Sequence, residues 1–255
     1  MKNPKNILIT GAGSGIGRAL AIAYSAPDVN LFLCGRNLEK LQTTKILCEE
    51  LKANVLLEIA DVCDELAMKN WIEKIEAIHE LDLVIANAGI SAGTAGGLES
   101  FTQIKKIFST NLDGVLNVIH PVIEKMKVRR KGQIALVSSL AGFRGLPSSP
   151  AYSASKSAVR VYGEGLRGNL AKIGIEVNLI CPGYIKTPMT DVNEFPMPFL
   201  MGVEECAKVV KNGLAKNKSR IAFPFPLYFV VWLATLLSTK ITDPIFAKLP
   251  GKKGL

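Results

Sequence analysis

The chain has 255 residues, 48% of them apolar and 21% charged, the balance of a well-cored globular protein and not of a disordered one. Its 31 basic and 22 acidic residues leave a net charge of +9, which suits an anionic membrane surface, nucleic acid or a polyphosphate cofactor as well as an ordinary basic protein. Five scattered cysteines (Cys34, Cys48, Cys63, Cys181, Cys206) form no C-x-x-C, and His79 and His120 are the only histidines, which speaks against a zinc knuckle, a redox dithiol, a histidine-based metal site or a Ser–His–Asp triad. The N-terminal MKNPKNILIT carries an apolar run of four residues, short for a signal-peptide core, so a cytoplasmic protein with reduced thiols is expected.

In chain order, short apolar runs alternate with longer segments of helical period. Strands are read at NILIT (6–10), NLFLC (30–34), NVLLEIA (54–60), LDLVIA (81–86), GQIALVS (132–138) and IEVNLIC (175–181). Helices are read at 16–25, 37–52, 65–80, 100–126 and 151–170, with Asn37 and Asp64 where N-caps belong. Such alternation predicts an α/β fold: a single-domain, doubly wound parallel sheet of about seven strands with helices on both faces. No repeat or low-complexity linker divides it. Residues 1–220 are read as the domain and 221–255 as an apolar C-terminal extension.

The first strand runs into TGAGSGIGRAL. Gly11, Gly15 and Gly17 fit T-G-x-x-x-G-x-G, with Gly13, Ser14 and Ile16 between them; the stricter G-x-G-x-x-G does not fit. Glycines let the backbone approach a pyrophosphate, which then rests on the following helix N-terminus, whereas a merely flexible loop is the bland alternative. Where an acidic residue would bind the adenosine ribose, the second strand ends in Gly35 and Arg36. A guanidinium there favours the 2′-phosphate of NADP(H), with NAD(H) still possible, unless Arg36 is only an exposed helix-start residue. Arg18 either helps hold a phosphate or faces outward.

Four further pieces follow. Asn87, Ala88 and Gly89 close the fourth strand. Asn111 lies in the middle of the long helix, where asparagine is a poor helix former. Ser139 follows the fifth strand. Tyr152 precedes Lys156 by one helical turn, either as a common polar pair or as a phenol whose pKa a neighbouring cation lowers.

With these motifs and CPGYIKT (181–187) in order, residues 5 to about 190 resemble the short-chain dehydrogenase/reductase family, which has a Rossmann-type sheet. The resemblance implies that Tyr152 is the acid in carbonyl reduction and the base in alcohol oxidation. Lys156 would lower its pKa and hold the nicotinamide ribose, Ser139 would hold the substrate oxygen, and Asn111 would anchor a relay water. Asp61 and Val62 resemble adenine contacts. Pro182 and Gly183 would lie by the nicotinamide, Ile185 and Thr187 near its carboxamide. A homodimer or homotetramer through the helices holding Asn111 and Tyr152 is implied too. Against the family pattern, YSAPDVN (24–30) lacks a glycine.

Residues 188–202 occupy the family's variable substrate loop. Phe195, Met197, Phe199, Leu200 and Met201 read as an apolar lid or as a core-capping helix. From Ile221 to Thr239 there is no charge. With Pro224 and Pro226 interrupting it, the helical part from about Leu227 to Thr239 rises about 20 Å, against about 30 Å for a bilayer core. It is read as packing on its own domain or a partner subunit, as meeting a membrane surface through Tyr228, Trp232 and the basic tail (Lys240, Lys248, Lys252, Lys253), or as walling a pocket for a lipid-like substrate. KMKVRRKG (125–132) ends a helix and is read as complementing its dipole, not as binding nucleic acid. The sequence therefore predicts an NADP(H)-preferring enzyme interconverting a small carbonyl and a secondary alcohol, the substrate apolar or amphiphilic. The rivals are a catalytically silent dinucleotide-binding sensor and a peripheral membrane scaffold.

Overall fold

The computed structural model describes residues 1–248 and 250–254. Seven parallel strands make one sheet: β1 (Asn6–Thr10), β2 (Asn30–Gly35), β3 (Asn54–Ile59), β4 (Leu83–Ala86), β5 (Gly132–Val137), β6 (Ile175–Pro182) and β7 (Arg220–Phe223). Their order is β3-β2-β1-β4-β5-β6-β7. The direction of winding reverses between β1 and β4, and a crevice opens there beyond the carboxyl ends of the strands.

Alternate strand residues face opposite sides, so each strand feeds two cores. Ile7 and Ile9 of β1 point to helices α1 (Gly15–Tyr24), α2 (Leu38–Glu49) and α8 (Val203–Ala215), meeting Leu20, Leu41 and Val210. Leu8 points to α3 (Glu65–Glu76), α5 (Gly114–Arg129) and α6 (Pro150–Leu170), meeting Ile72, Val118 and Val159. Asn37 and Asp64 cap α2 and α3 by accepting from Lys40 N and Ala67 N. The basic run at the end of α5 is structural: Arg129 grips Glu76 at 2.6 and 3.1 Å and donates to Leu81 O.

Several local readings change. The missing glycine before β2 is replaced by Asp28, which adopts φ 62, a left-handed conformation that aspartate tolerates. The helix expected over 100–126 is three pieces: α4 (Phe101–Phe108), a π-helical turn (Ser109–Asp113) and α5. Asn111 therefore sits in the π turn and not in a regular helix. Its side chain competes for backbone groups, as asparagine does.

The seventh strand begins at Arg220, the last residue of the expected domain. It is four residues long with alternating burial, Ile221 and Phe223 facing inward, too short to stand out beside the apolar run that follows. That run does not form one helix over 227–239. Pro224 is the N-cap of α9 (Phe225–Ala234), and Pro226 is tolerated in its first turn, where no intrahelical donor is lost. After a break, Ser238 caps α10 (Thr239–Phe246).

Both helices are tied to the domain. Arg220 bonds Glu164 at 2.5 Å and the Tyr228 hydroxyl at 3.2 Å, and the guanidinium groups of Arg160 and Arg220 both stand near the Phe143 ring, 4.8 and 5.2 Å from its centre. Arg144, in the loop after β5, bonds Thr242 and Asp243 of α10. Among the described residues no helix is long and apolar enough to cross a membrane.

Candidate active site

At the crevice the turn after β1 meets the end of β4. Thr10 Oγ1 accepts from Asn87 N and Ala88 N, both at 3.1 Å, and Asn87 Nδ2 donates to Thr10 O at 2.9 Å and Gly11 O at 3.3 Å. That stitch leaves no room for side chains. A Cβ on Gly11 would stand 2.9 Å from Ala88 Cα, and one on Gly17 would stand 2.4 Å from Gly11 O. Gly11 and Gly15 also take positive φ, 65° and 53°. Ser14, the N-cap of α1, makes no side-chain capping bond, so the first-turn amides are open donors beside Gly15 and Ile16. A cradle of bare backbone at a helix N-terminus fits the pyrophosphate of a dinucleotide.

Arg18 takes neither expected role. It donates to Gly13 O at 2.5 Å and Thr44 Oγ1 at 3.0 Å, bracing the turn against α2. Arg36 closes β2 and pairs loosely with Asp61 at 3.5 Å, both groups largely in solvent. Burial pushes the Asp61 carboxyl up, but hydrogen bonds from Cys63 and the nearby Arg36 outweigh it and hold it below the ordinary range.

A cavity of about 840 Å³ runs from this cradle to Tyr152. Gly11, Gly13, Ser14, Gly15, Ile16, Arg36, Asp61 and Val62 line one end. Asn87, Ala88, Gly89, Ser139, Tyr152 and Lys156 line its middle, and Pro182, Gly183, Ile185 and Thr187 its far side. Thr187 returns over the glycine turn, its methyl 3.1 Å from where a Gly15 Cβ would sit. Two expected residues stand behind the wall. Gly17 lies under the turn. Asn111 is fully buried; it accepts from Ile90 N at 2.8 Å and donates to Ile90 O and Ser155 Oγ, each at 3.0 Å.

Lys156 Nζ donates to Val137 O at 2.9 Å and stands 6.0 Å from the centre of the Tyr152 ring. Gly89 faces both Lys156 and Asn111; a Cβ there would lie 3.2 Å from Lys156 Nζ and 3.1 Å from Asn111 Oδ1. Burial pulls the Lys156 ammonium down from 10.5 to about 8. Tyr152 is part-buried and lines the cavity, and burial pushes its phenol above the ordinary 10.0, with the Ser139 hydroxyl pulling the other way. The lowering expected from an adjacent cation is absent from the causes of this shift: the downward pull comes from Ser139, and desolvation disfavours the charged form of both groups. Sequence reasoning missed Thr10, although it is part of the T-G motif, and Ser138, whose hydroxyl bonds Lys156 O at 2.7 Å.

The substrate side is apolar. Phe195 and Met189 from the 188–202 segment line it together with Leu227, Val231 and Leu237 from the α9 region. Only a short helix, α7 (Pro188–Asp191), forms in that segment. Of the residues expected in a lid, Phe195 lines the cavity, Phe199 and Leu200 face solvent, and Met201 bridges to Ile185 and packs on the core.

A phenol, a hydroxyl and an ammonium gathered at the nucleotide crevice of a doubly wound sheet define a nicotinamide-dependent oxidoreductase of CH–OH and C=O groups. The family model described as short chain dehydrogenase matches residues 5–195, and the chain belongs to that family. A relative in Myxococcus xanthus (strain DK1622), named an uncharacterized oxidoreductase, is 34% identical over 249 residues, covering 96% of this chain and 97% of its own. Two solved structures share the fold over 96% of both chains. A short chain dehydrogenase/reductase from Burkholderia phymatum in complex with NAD has TM-score 0.83 at 23% identity. A short-chain dehydrogenase from Sphingobium yanoikuyae in complex with NADPH has TM-score 0.80 at 21% identity.

Proposed function

We propose that this chain is an NADP(H)-preferring enzyme that interconverts a carbonyl and a secondary alcohol on an apolar or amphiphilic substrate. The observation that carries the reading is one continuous cavity joining the bare glycine cradle to Tyr152. A dinucleotide held by the cradle supplies or accepts the hydride, and the chain's own residues manage the oxygen and its proton. Tyr152 gives its proton to the carbonyl oxygen in reduction and takes one from the alcohol in oxidation. Its upward shift keeps the phenol protonated, the form that reduction needs. Ser139 holds the substrate oxygen beside the phenol. Lys156 favours the phenolate as the proton leaves and holds the nicotinamide ribose. Asn111 is a positioning residue that fixes Gly89 and Ile90 beside Lys156.

Arg36 sets the cofactor preference. An exposed ion pair such as Arg36–Asp61 is worth about 0–1 kcal/mol, so a 2′-phosphate can take the guanidinium at little cost. Fluorescence titration with NADPH and NADH tests this. NADPH should bind more tightly, and Arg36→Ala should weaken it by about tenfold while leaving NADH unchanged. Equal affinities in the parent chain would remove the preference.

A second reading, compatible with the first, is contact with a membrane surface. Phe225, Phe229, Val230, Trp232 and Leu233 of α9 stand partly in solvent, and Phe229, Val230 and Leu233 also border the cavity, so an apolar substrate could enter from lipid. Ending the chain near Arg220 would delete β7, so the test replaces Phe225, Val230 and Trp232 with serine and floats both proteins with anionic liposomes. Equal flotation, or none by the parent, would sink the idea. Assembly as a homodimer or homotetramer through α5 and α6 is supported by Val161 and Tyr162, exposed on α6.

A further inference from the structure

The C-terminal tail does not trail into solvent. It docks on the loop after β4, where Gly93 N donates to Lys253 O at 2.6 Å and Ala95 N to Lys252 O at 2.8 Å. The contact is close enough that a Cβ on Gly93 would stand 2.4 Å from the Lys252 Cβ. Lys253 pairs with Glu194 of the 188–202 segment at 2.5 Å, so the tail bridges the two loops that flank the cavity. Lys252 itself turns inward. Its Nζ donates to Ser91 Oγ at 2.6 Å and lies 5.6 Å from the centre of the Tyr152 ring, and the residue lines the cavity.

The electrostatics of this lysine are unbalanced. It is half-buried, and no carboxylate among the described residues pairs with it. A neutral hydroxyl and an aromatic ring only partly replace the water it has lost, and burial pulls its pKa down. Nothing in the proton chemistry assigned to Tyr152, Ser139 and Lys156 uses it. A desolvated cation with no carboxylate partner among the described residues, facing a substrate cavity, is a receptor for an anion that arrives with the ligand. Beyond it the wall is apolar, formed by Leu227, Val231, Ile245 and Phe246.

We propose that Lys252 selects the substrate: the enzyme works on amphiphilic hydroxy or oxo acids whose carboxylate lies within a few bonds of the reacting carbon and whose hydrocarbon chain runs along α9. The inference rests on the placing of the reacting carbon at Tyr152. It adds a residue, from the far end of the chain, that reads charge and not reactivity.

The test compares oxidation of 3-hydroxydecanoate and of its methyl ester with NADP⁺, following NADPH formation, in the full chain and in Lys252→Met and Lys252→Arg. The backbone bonds that seat the tail do not use the replaced side chain, so both variants keep the docking. The parent chain should prefer the acid by about 10- to 100-fold in kcat/KM, the worth of one charge-assisted hydrogen bond. Lys252→Met should erase that preference by raising KM for the acid, with kcat and the ester's constants little changed, and Lys252→Arg should keep it. A preference that survives in Lys252→Met, or a parent chain that favours the ester or turns over neither compound, would overturn the proposal. So would faster oxidation of both compounds by a chain ending at Gly251, which would make the tail a plug. NADPH titration of each protein separates these outcomes from failure of the oxidoreductase reading, in which no nicotinamide would bind.

Discussion

The cavity has two ends made of different material. Around Gly11–Gly17, Gly35, Asn87–Gly89 and Pro182–Gly183 the wall is main chain and small side chains, rooted in strands whose residues are almost all buried. Around Phe195, α9, α10 and the tail it is apolar side chains on short segments, many of them half in solvent. The first end recognises a constant ligand through backbone geometry, which tolerates almost no change. The second offers a variable ligand apolar area and the charges of Arg144 and Lys252, and its parts can be exchanged without disturbing the sheet. Precision at one end and adaptability at the other follow from where the sheet's rigidity stops.

The sharpest way to break this contrast is to add one methyl group at the rigid end and one hydroxyl at the soft one. In Gly17→Ala the new Cβ would meet Gly11 O at 2.4 Å and Asn87 Nδ2 at 2.6 Å, so the stitched turn must shift. Overpacking of this kind costs about 1–3 kcal/mol, and NADPH affinity should fall by about 100-fold as the cradle opens. Val230→Ser, on the exposed side of α9, should leave NADPH affinity within about twofold, because a surface change away from a special contact costs less than about 0.5 kcal/mol. Titration of both variants checks the pair. Similar losses in the two would mean that the ends are one unit.

The same contrast explains what could be read from the sequence. Strands β1, β2 and β4 to β6 were legible because buried parallel strands are continuous apolar runs, the half-exposed edge strand β3 because it too is an apolar run, and the glycine turn because a backbone cradle admits few residue types. Tyr152, Lys156, Ser139 and Gly89 meet in the cavity because their spacing is fixed by the same strands and helices. Asn111 was legible as an anomaly, but the π turn was not, since it depends on bonds to Ile90 made across the fold. Arg220–Phe223 hid as a strand because four residues carry too short a pattern. Lys252 was legible only as one of four lysines of a basic tail, with no signal of a place in the cavity. Its position depends on a tail that returns to Ser91, 161 residues back along the chain, and a lysine near a C-terminus is an ordinary residue until its neighbours are known.

Lys156 sharpens the comparison from inside the rigid end, with a smaller effect. Burial lowers its pKa from 10.5 to about 8, so between those pH values the unfolded chain holds a proton that the folded chain does not. Stability to unfolding therefore rises with pH through that window, and below about pH 8 the buried ammonium destabilises the fold by a constant amount. Tyr152 works the other way and only above pH 10, where the unfolded phenol ionises first. Lys156→Met deletes the lysine term while leaving Tyr152 and the buried cysteines in place. In urea unfolding without cofactor, the stability of the parent chain relative to Lys156→Met should be flat below pH 8 and climb by on the order of 2 kcal/mol toward pH 10. Parallel curves for the two proteins would show that Lys156 keeps its charge in the cavity. The ammonium would then be fixed in place before any cofactor arrives, whereas Lys252, at the soft end, has no carboxylate partner among the described residues.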